Sequence, residues 1–280
     1  MPIRLYKPTT SARRHTSVSV SFEAPRKNKL VKKLTVIKKK NSGRNNQGKI
    51  TVRHQGGGEK RYIRIVDFKM DKYDIPAKVE QIEYDPNRNA YIALICYRDG
   101  ERRYVLACEN VKKGQILISS ETKLTLQDGN RFPLHLIPAG TPICNIELQP
   151  KKGGKIVRSA GASATLMGID GGKAQIKLPS GEMRLVSKDC FANIGTISNS
   201  EFRNIRWGKA GRSRHRGIRP SVRGKVMNPC DHPHGGGEGK HPIGMKYPKT
   251  PWGKHAIGVK TRKKKKYSNN RIIRRRAKRK

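Results

Sequence analysis

The sequence predicts a mainly β chain. It reads as an OB-type barrel followed by an SH3-like barrel, with long basic extensions at both ends. Three observations predict this. First, the formal charge of +43 on 280 residues is uneven. Residues 1–60 carry 16 Lys and Arg against 2 acids, and residues 201–280 carry 26 against 3, while residues 61–200 carry 21 against 15. Only the middle has the balance of an ordinary globular domain, and its length suffices for a core. Second, from Tyr62 onward apolar residues recur with period two in short runs. Third, Gly and Asn turns punctuate those runs at even intervals, which is barrel chemistry, and almost nothing looks like an amphipathic helix.

The first extension, 1–60, opens with an arm over residues 1–33 that mixes Pro, Thr, Ser and basic residues and is expected to be extended. Arg13 and Arg14 lie in its Lys7–His15 stretch. Gly43 to Lys49 follows, with Arg44 among glycine and asparagine. Ile50–His54 reads as a short strand-like run carrying Arg53 and His54. Gln55–Arg61 reads as a glycine hinge that ends on Lys60 and Arg61. Basic residues flank the glycines on both sides, which favours contact with a polyanion over a solvated linker.

Residues 61–125 supply the five strands of the first barrel: Tyr62–Phe68, Ala77–Tyr84, Ala90–Tyr97, Arg102–Cys108 and Gln115–Ile118. Asp85-Pro86-Asn87-Arg88-Asn89 and Asp99-Gly100 are the turns. Arg64, Lys69 and Arg88 are its candidate RNA contacts, and the strand aromatics are mostly core. Residues 126–200 supply a second set: Pro142–Leu148, Ala164–Ile169, Lys173–Leu178, Glu182–Val186 and Gly195–Ile197. Ser187–Asn193 is expected to make a helical turn or two. Between strands, residues 151–164 form a small-residue loop with a basic lead. Without the Gly-Lys-Ser/Thr ending it is no nucleotide loop. Lys155 and Arg158 there suit an RNA groove.

The second extension, 201–280, has too few apolar residues to offset its own chain entropy and good reason to fold against a polyanion. Arg206, Trp207 and Lys209 lead into Arg212, Arg214, His215 and Arg216. Arg219 and Arg223 follow, then His232, His234, Lys240 and Trp252. Arginine grips phosphates and guanine edges in bidentate fashion, and glycine lets backbone come close. His232, His234 and Trp252 are expected to donate to and stack on RNA. The tail, residues 261–280, is a nucleic-acid run of Lys and Arg.

Other classes fare worse. No apolar run spans a bilayer, and no basic amphipathic helix would lie on one. Five cysteines, odd in number and without CxxC spacing, read as reduced small hydrophobes. Cys230, His232, His234 and His241 lie close together, but their spacing is not a common zinc pattern, so no metal site is expected. His232 beside Asp231 lacks a nucleophile, which disfavours an enzyme. A DNA-compacting protein would want a recognition helix or a repeat, and neither is present.

Lys7–His15, Gly43–Gly48, Arg53–Arg61, Ile82–Arg88, Arg158–Gly161, Gly208–Gly217, Gly224–Pro229, Asp231–Gly239 and Thr250–Gly253 together resemble the ribosomal protein L2 family of bacterial or organellar type. The Asp231–Gly239 stretch is very specific. The resemblance implies the OB and SH3-like barrels and a primary binder of large-subunit rRNA. It implies neighbouring large-subunit proteins and a bridge to small-subunit rRNA. It also implies support of tRNA binding and of the peptidyl-transferase region. No cofactor is implied beyond Mg2+ that belongs to the bound rRNA. The family setting is the cytoplasmic ribosome, or an organellar one if the chain is organelle-encoded. A catalytic role has been suggested for the histidine matching His232, and the residues around it here favour a structural one. Since the pattern starts near Lys7, the basic N-terminus is expected to be part of the working chain rather than a transit peptide. The chain departs at Met70 and Cys230, where many relatives have a basic residue and Val, and across Lys240–Lys249.

Overall fold

The structure, a computed structural model, describes residues 3–20, 30–122 and 125–276. Its elements are β1 (Ile3–Leu5), α1 (Ser11–Arg14), β2 (Ser17–Ser19), β3 (Thr35–Ile37), β4 (Tyr62–Arg64), β5 (Ala77–Glu83), β6 (Ile92–Tyr97), β7 (Arg102–Leu106) and β8 (Ile116–Leu117). After these come β9 (Arg131–Pro133), β10 (Pro142–Cys144), β11 (Ala164–Asp170), β12 (Lys173–Lys177), β13 (Met183–Ser187), β14 (Phe191–Ile194), α2 (Ala210–His215) and β15 (Ile272–Arg274). The chain is mainly β, as its patterning predicts.

Contacts divide the molecule into two compact units. The first takes in Met1–Lys39, Lys60–Ala210 and Asn270–Lys280, and the second Lys40–Glu59 and Gly211–Asn269. In the first unit, β7-β6-β5-β8 form one antiparallel sheet, and a ribbon of β3 and β4 accompanies it. Val79, Ile82, Ile95 and Val105 fill the core on one face of this sheet. Ile92, Leu94 and Tyr104 fill the other, against Val31, Leu34 and Val66. Alternation along β6 places its side chains in both cores, so the strand is buried on both faces.

The second sheet runs β15-β13-β12-β11-β10-β14-β9. Its core holds Phe132, Ile143, Leu166, Ile176 and Ile194. Two expectations fail here. The turn expected at Ser187–Asn193 and the strand at Gly195–Ile197 are replaced by β14, whose four residues are all buried. β14 pairs with β10 and with β9, a strand the patterning does not reveal. A buried polar network fixes that register. Arg131 donates from Nη2 to Glu147 Oε1 at 2.9 Å, and from Nη1 to Asn193 Oδ1 at 2.7 Å and Asn145 O at 3.1 Å. Glu147 accepts in turn from the backbone N–H groups of Lys151, Gly153 and Phe191. Side chains that look like surface residues thus lie in the interior, and period-two reasoning breaks down around them.

The N-terminal arm also departs from expectation. β1 and β2 pair antiparallel around α1, whose N-cap Thr10 accepts from Arg13 N–H at 3.3 Å. Ser17 ties this hairpin to the start of the C-terminal extension. Its N–H donates to Arg206 O at 3.0 Å, and its hydroxyl accepts from Arg206 N–H at 2.8 Å. The arm's stretch at residues 21–29 lies outside the described residues, as do Met1, Pro2 and the last four residues of the basic tail. Ile50–His54 forms bends, with a single bridge from Arg44 to Ile50, rather than a strand.

Candidate nucleic-acid interface

The site starts from a turn. Asp-Pro-Asn-Arg favours a chain reversal because Asp and Asn side chains bond their own backbone two residues on. Asp85 does this, accepting from Asn87 N–H at 3.0 Å. The Asp85 carboxylate is fully buried, and it also accepts from Arg88 Nε at 2.7 Å, with Arg64 Nη1 at 3.6 Å. Asn87 Nδ2 donates to Tyr62 O at 2.6 Å, and Arg61 Nη1 donates to Pro86 O at 3.1 Å. The turn is therefore fastened to β4, and one carboxylate organises two cations.

Phe68 extends the cluster. The guanidinium of Arg158 lies 4.4 Å from its ring centroid and that of Arg88 5.8 Å. Arg158 is also held by donation to Gly154 O at 3.2 Å. Gly154 is required there, because a Cβ would sit 2.0 Å from Asn145 Oδ1. The small-residue loop is thereby anchored on the buried Arg131–Glu147 network. Lys60 lies over the Tyr62 ring at 5.8 Å. The result is a ridge of Lys60, Arg61, Arg64, Arg88 and Arg158, preorganised by aromatic rings and one buried acid. Lys69 and Lys155 are exposed on the same unit. A ridge with this excess of cation attracts phosphate, and aromatic stacking holds each guanidinium flat for bidentate contact.

Elsewhere in this unit, Arg13 and Arg14 stand exposed on α1, with Arg13 over the Tyr6 ring at 5.3 Å. Arg206 and Lys209 are exposed, and Trp207 packs edge-on against Phe202 at 6.2 Å.

The second unit holds the rest. Arg212, Arg214 and His215 ride on α2, followed by Arg216. Arg214 Nη1 donates to Ile218 O at 3.3 Å, and His215 Nδ1 lies 3.1 Å from Glu59. Arg44, Arg53, His54, Arg219, Arg223 and Lys240 are exposed. Trp252 is 74% exposed, with the Arg53 guanidinium 5.3 Å from its ring.

His232 and His234 are the exception. They are only 7% and 9% exposed, with rings 4.7 Å apart, so they do not offer free faces for stacking. His234 N–H donates to His232 Nδ1 at 3.0 Å, and Lys249 N–H donates to His234 Nε2 at 2.8 Å. Gly224 makes room for the pair, because a Cβ there would sit 2.4 Å from the His232 ring. Burial, with His232 and Lys249 nearby, lowers the His234 pKa from its ordinary value. Each imidazole thus spends one ring nitrogen on a backbone N–H, and the two close a loop. Among the described residues, no group of three or more His, Cys, Asp and Glu is arranged to hold a metal ion.

Sequence reasoning missed Asp85 as the organising acid, although the Asx-turn pattern could have flagged it. It missed Arg131, Asn145, Glu147 and Asn193 entirely, and no pattern in the chain signals them.

Two comparisons fit this arrangement. The family model described as Ribosomal Proteins L2, RNA binding N-terminal domain, matches residues 31–119. The one described as Ribosomal Proteins L2, C-terminal domain, matches residues 127–253. With both domains matched in order, the chain belongs to the ribosomal protein L2 family, and is a structural, RNA-binding constituent of the large ribosomal subunit.

Proposed function

We propose that the chain is a primary binder of large-subunit rRNA that grips RNA through the ridge of Arg64, Arg88 and Arg158 and orders its glycine-rich unit on the same molecule. The observation that carries this reading is the shared Phe68 platform. Two guanidiniums from distant parts of the sequence stack on one ring, with a single buried carboxylate behind them. An internal salt-bridge network would match cations with acids, whereas this ridge sets three guanidiniums against one carboxylate and leaves the excess for a partner. The exposed cations on α1, Arg216 just after α2, and those around Arg219 extend the contact. By family membership the reading takes in a bridge to small-subunit rRNA and support of tRNA binding and the peptidyl-transferase region. Mg2+ enters only as part of the bound rRNA.

His232 acts here by shape. A general base needs a free lone pair within reach of the reacting group. Its Nδ1 lone pair is taken by the His234 N–H. The buried ring supports the loop, and RNA carries the chemistry.

The test is equilibrium binding of large-subunit rRNA fragments at fixed salt. Arg88→Ala and Arg158→Ala should each weaken binding by about 1–3 kcal/mol, the scale of a charge-assisted contact. Each should also flatten the salt dependence by roughly one ion. Unchanged affinity and slope in both variants would remove the ridge from the interface.

A further inference from the structure

The second unit contains a concavity of about 440 Å³, bounded by Arg44, Ile50, Val52, Arg53, His54 and Arg219. That size lies within the roughly 300–1,000 Å³ typical of small-ligand sites. Its chemistry is two-sided. Ile50 and Val52 present exposed apolar side chains, 60% and 51% exposed. Arg44, Arg53 and Arg219 surround them, and none has a carboxylate partner among the described residues.

The wall is built by constrained backbone. His54 adopts φ 58°, in the left-handed region that is uncommon outside glycine, and Gly56 and Gly57 follow at 142° and 65°. The turn is fastened by a bridge from Gln55 to Ile218. Arg219 N–H donates to His54 O at 3.0 Å, and Gly56 N–H donates to Gly217 O at 3.0 Å. The His54 ring, whose Nδ1 lies 3.2 Å from Pro220 O, is pinned to the same segment. Such a conformation persists where surrounding contacts over-determine it.

An apolar floor among guanidiniums that lack a carboxylate partner suits one ligand class: a planar, weakly polar ring attached to an anion. We propose that this cavity takes a single unstacked nucleotide of the bound RNA, its base against Ile50 and Val52 and its phosphate on Arg44 and Arg219. The inference rests on the RNA-binding reading and adds to it a preference for a bulged nucleotide over continuous duplex. A base inside a duplex cannot enter a concavity of this size, whereas a splayed base can, and it then stacks on guanidinium planes.

The experiment uses the full chain and two short fluorescent RNA hairpins, identical except that one carries a single bulged adenosine. The wild type should bind the bulged hairpin about tenfold more tightly, the scale of one stacked base. Val52→Trp fills the cavity from an exposed position, and Arg44→Ala removes a phosphate contact. Both should abolish the preference, and Val52→Trp should do so while keeping affinity for the paired hairpin. Equal wild-type affinity for the two hairpins would overturn the pocket and leave RNA binding intact. Preference surviving in both variants, or lost in Arg44→Ala alone, would also overturn it, the latter by assigning the effect to charge. Failure to bind either RNA would overturn both readings.

Discussion

In the barrels, Ile92, Ile95, Leu134, Ile143, Leu166 and Ile176 are almost wholly buried. In the second unit Ile218, Val222, Val226, Trp252, Ile257 and Val259 all stand more than half exposed. Among that unit's described residues, the buried side chains are His232, His234 and Ser268. One region is held by removing apolar surface from water, at roughly 25 cal/mol per Å². The other is held by backbone hydrogen bonds, close glycine contacts and two coupled imidazoles. Net hydrogen bonds contribute only about 1 kcal/mol each, so the second unit has little to set against its chain entropy. The two regions therefore need different partners: the barrels need only their own side chains, and the glycine-rich unit needs a surface of opposite charge.

The largest expected effect lies in the barrels. Glu147→Ala leaves the fully buried Arg131 without its counter-charge and three backbone N–H groups without an acceptor. Breaking such a pair costs about 3–5 kcal/mol. Thermal unfolding of the full chain should show a correspondingly large drop. A loss within about 0.5 kcal/mol, the scale of a surface substitution, would mean the network does not hold the second barrel together.

A smaller effect sharpens the boundary of the self-sufficient region. A fragment of residues 61–200 should unfold cooperatively, since its charge is nearly balanced and both main cores lie within it. It lacks Val31 and Leu34, which cover Ile92, Leu94 and Tyr104, and it lacks β3. A fragment that starts at residue 30 and ends at 205 should therefore be more stable by about 2–4 kcal/mol, the value of one or two buried aliphatic side chains. Equal stability would show that the ribbon adds nothing, and a random-coil spectrum for both would deny that the barrels stand alone.

The smallest effect falls on chemistry. His232→Gln keeps hydrogen-bonding capacity without titration. In assembled particles shown to contain the protein at full occupancy, peptide-bond formation should stay within about tenfold, or roughly 1.4 kcal/mol in barrier. A thousandfold loss with substrates bound normally would revive catalysis.

Much of the fold was legible in the chain, and the reasons differ by region. Ala77–Glu83 and Lys173–Lys177 alternate in the way half-buried strands must, and Ile92–Tyr97 is a short unbroken apolar run bounded by turns, so pattern located all of them to within a residue or two. β9 and β14 were not legible, because Arg131 and Asn193 are polar residues whose interior position depends on partners far along the chain. β15 was hidden inside a basic run, where Ile272 and Ile273 looked incidental, yet it pairs with β13 at the sheet edge. Of the interface, charge and glycine marked the region. The stacking of Arg88 and Arg158 on one ring required the fold to bring residues 68, 88 and 158 together. The burial of His232 and His234 ran against their polarity, because each satisfies a backbone N–H that water would otherwise serve.

The barrels should be stable by themselves, and the glycine-rich unit should become stable on RNA. Amide hydrogen exchange on the full chain, free and bound to large-subunit rRNA, tests this most directly. Strands β5, β6, β11 and β12 should be protected in both states. Residues 40–59 and 211–269 should exchange rapidly in the free protein and become protected only with RNA. Protection of 211–269 equal to that of the barrels without RNA, or rapid exchange there after RNA has bound, would contradict the claim.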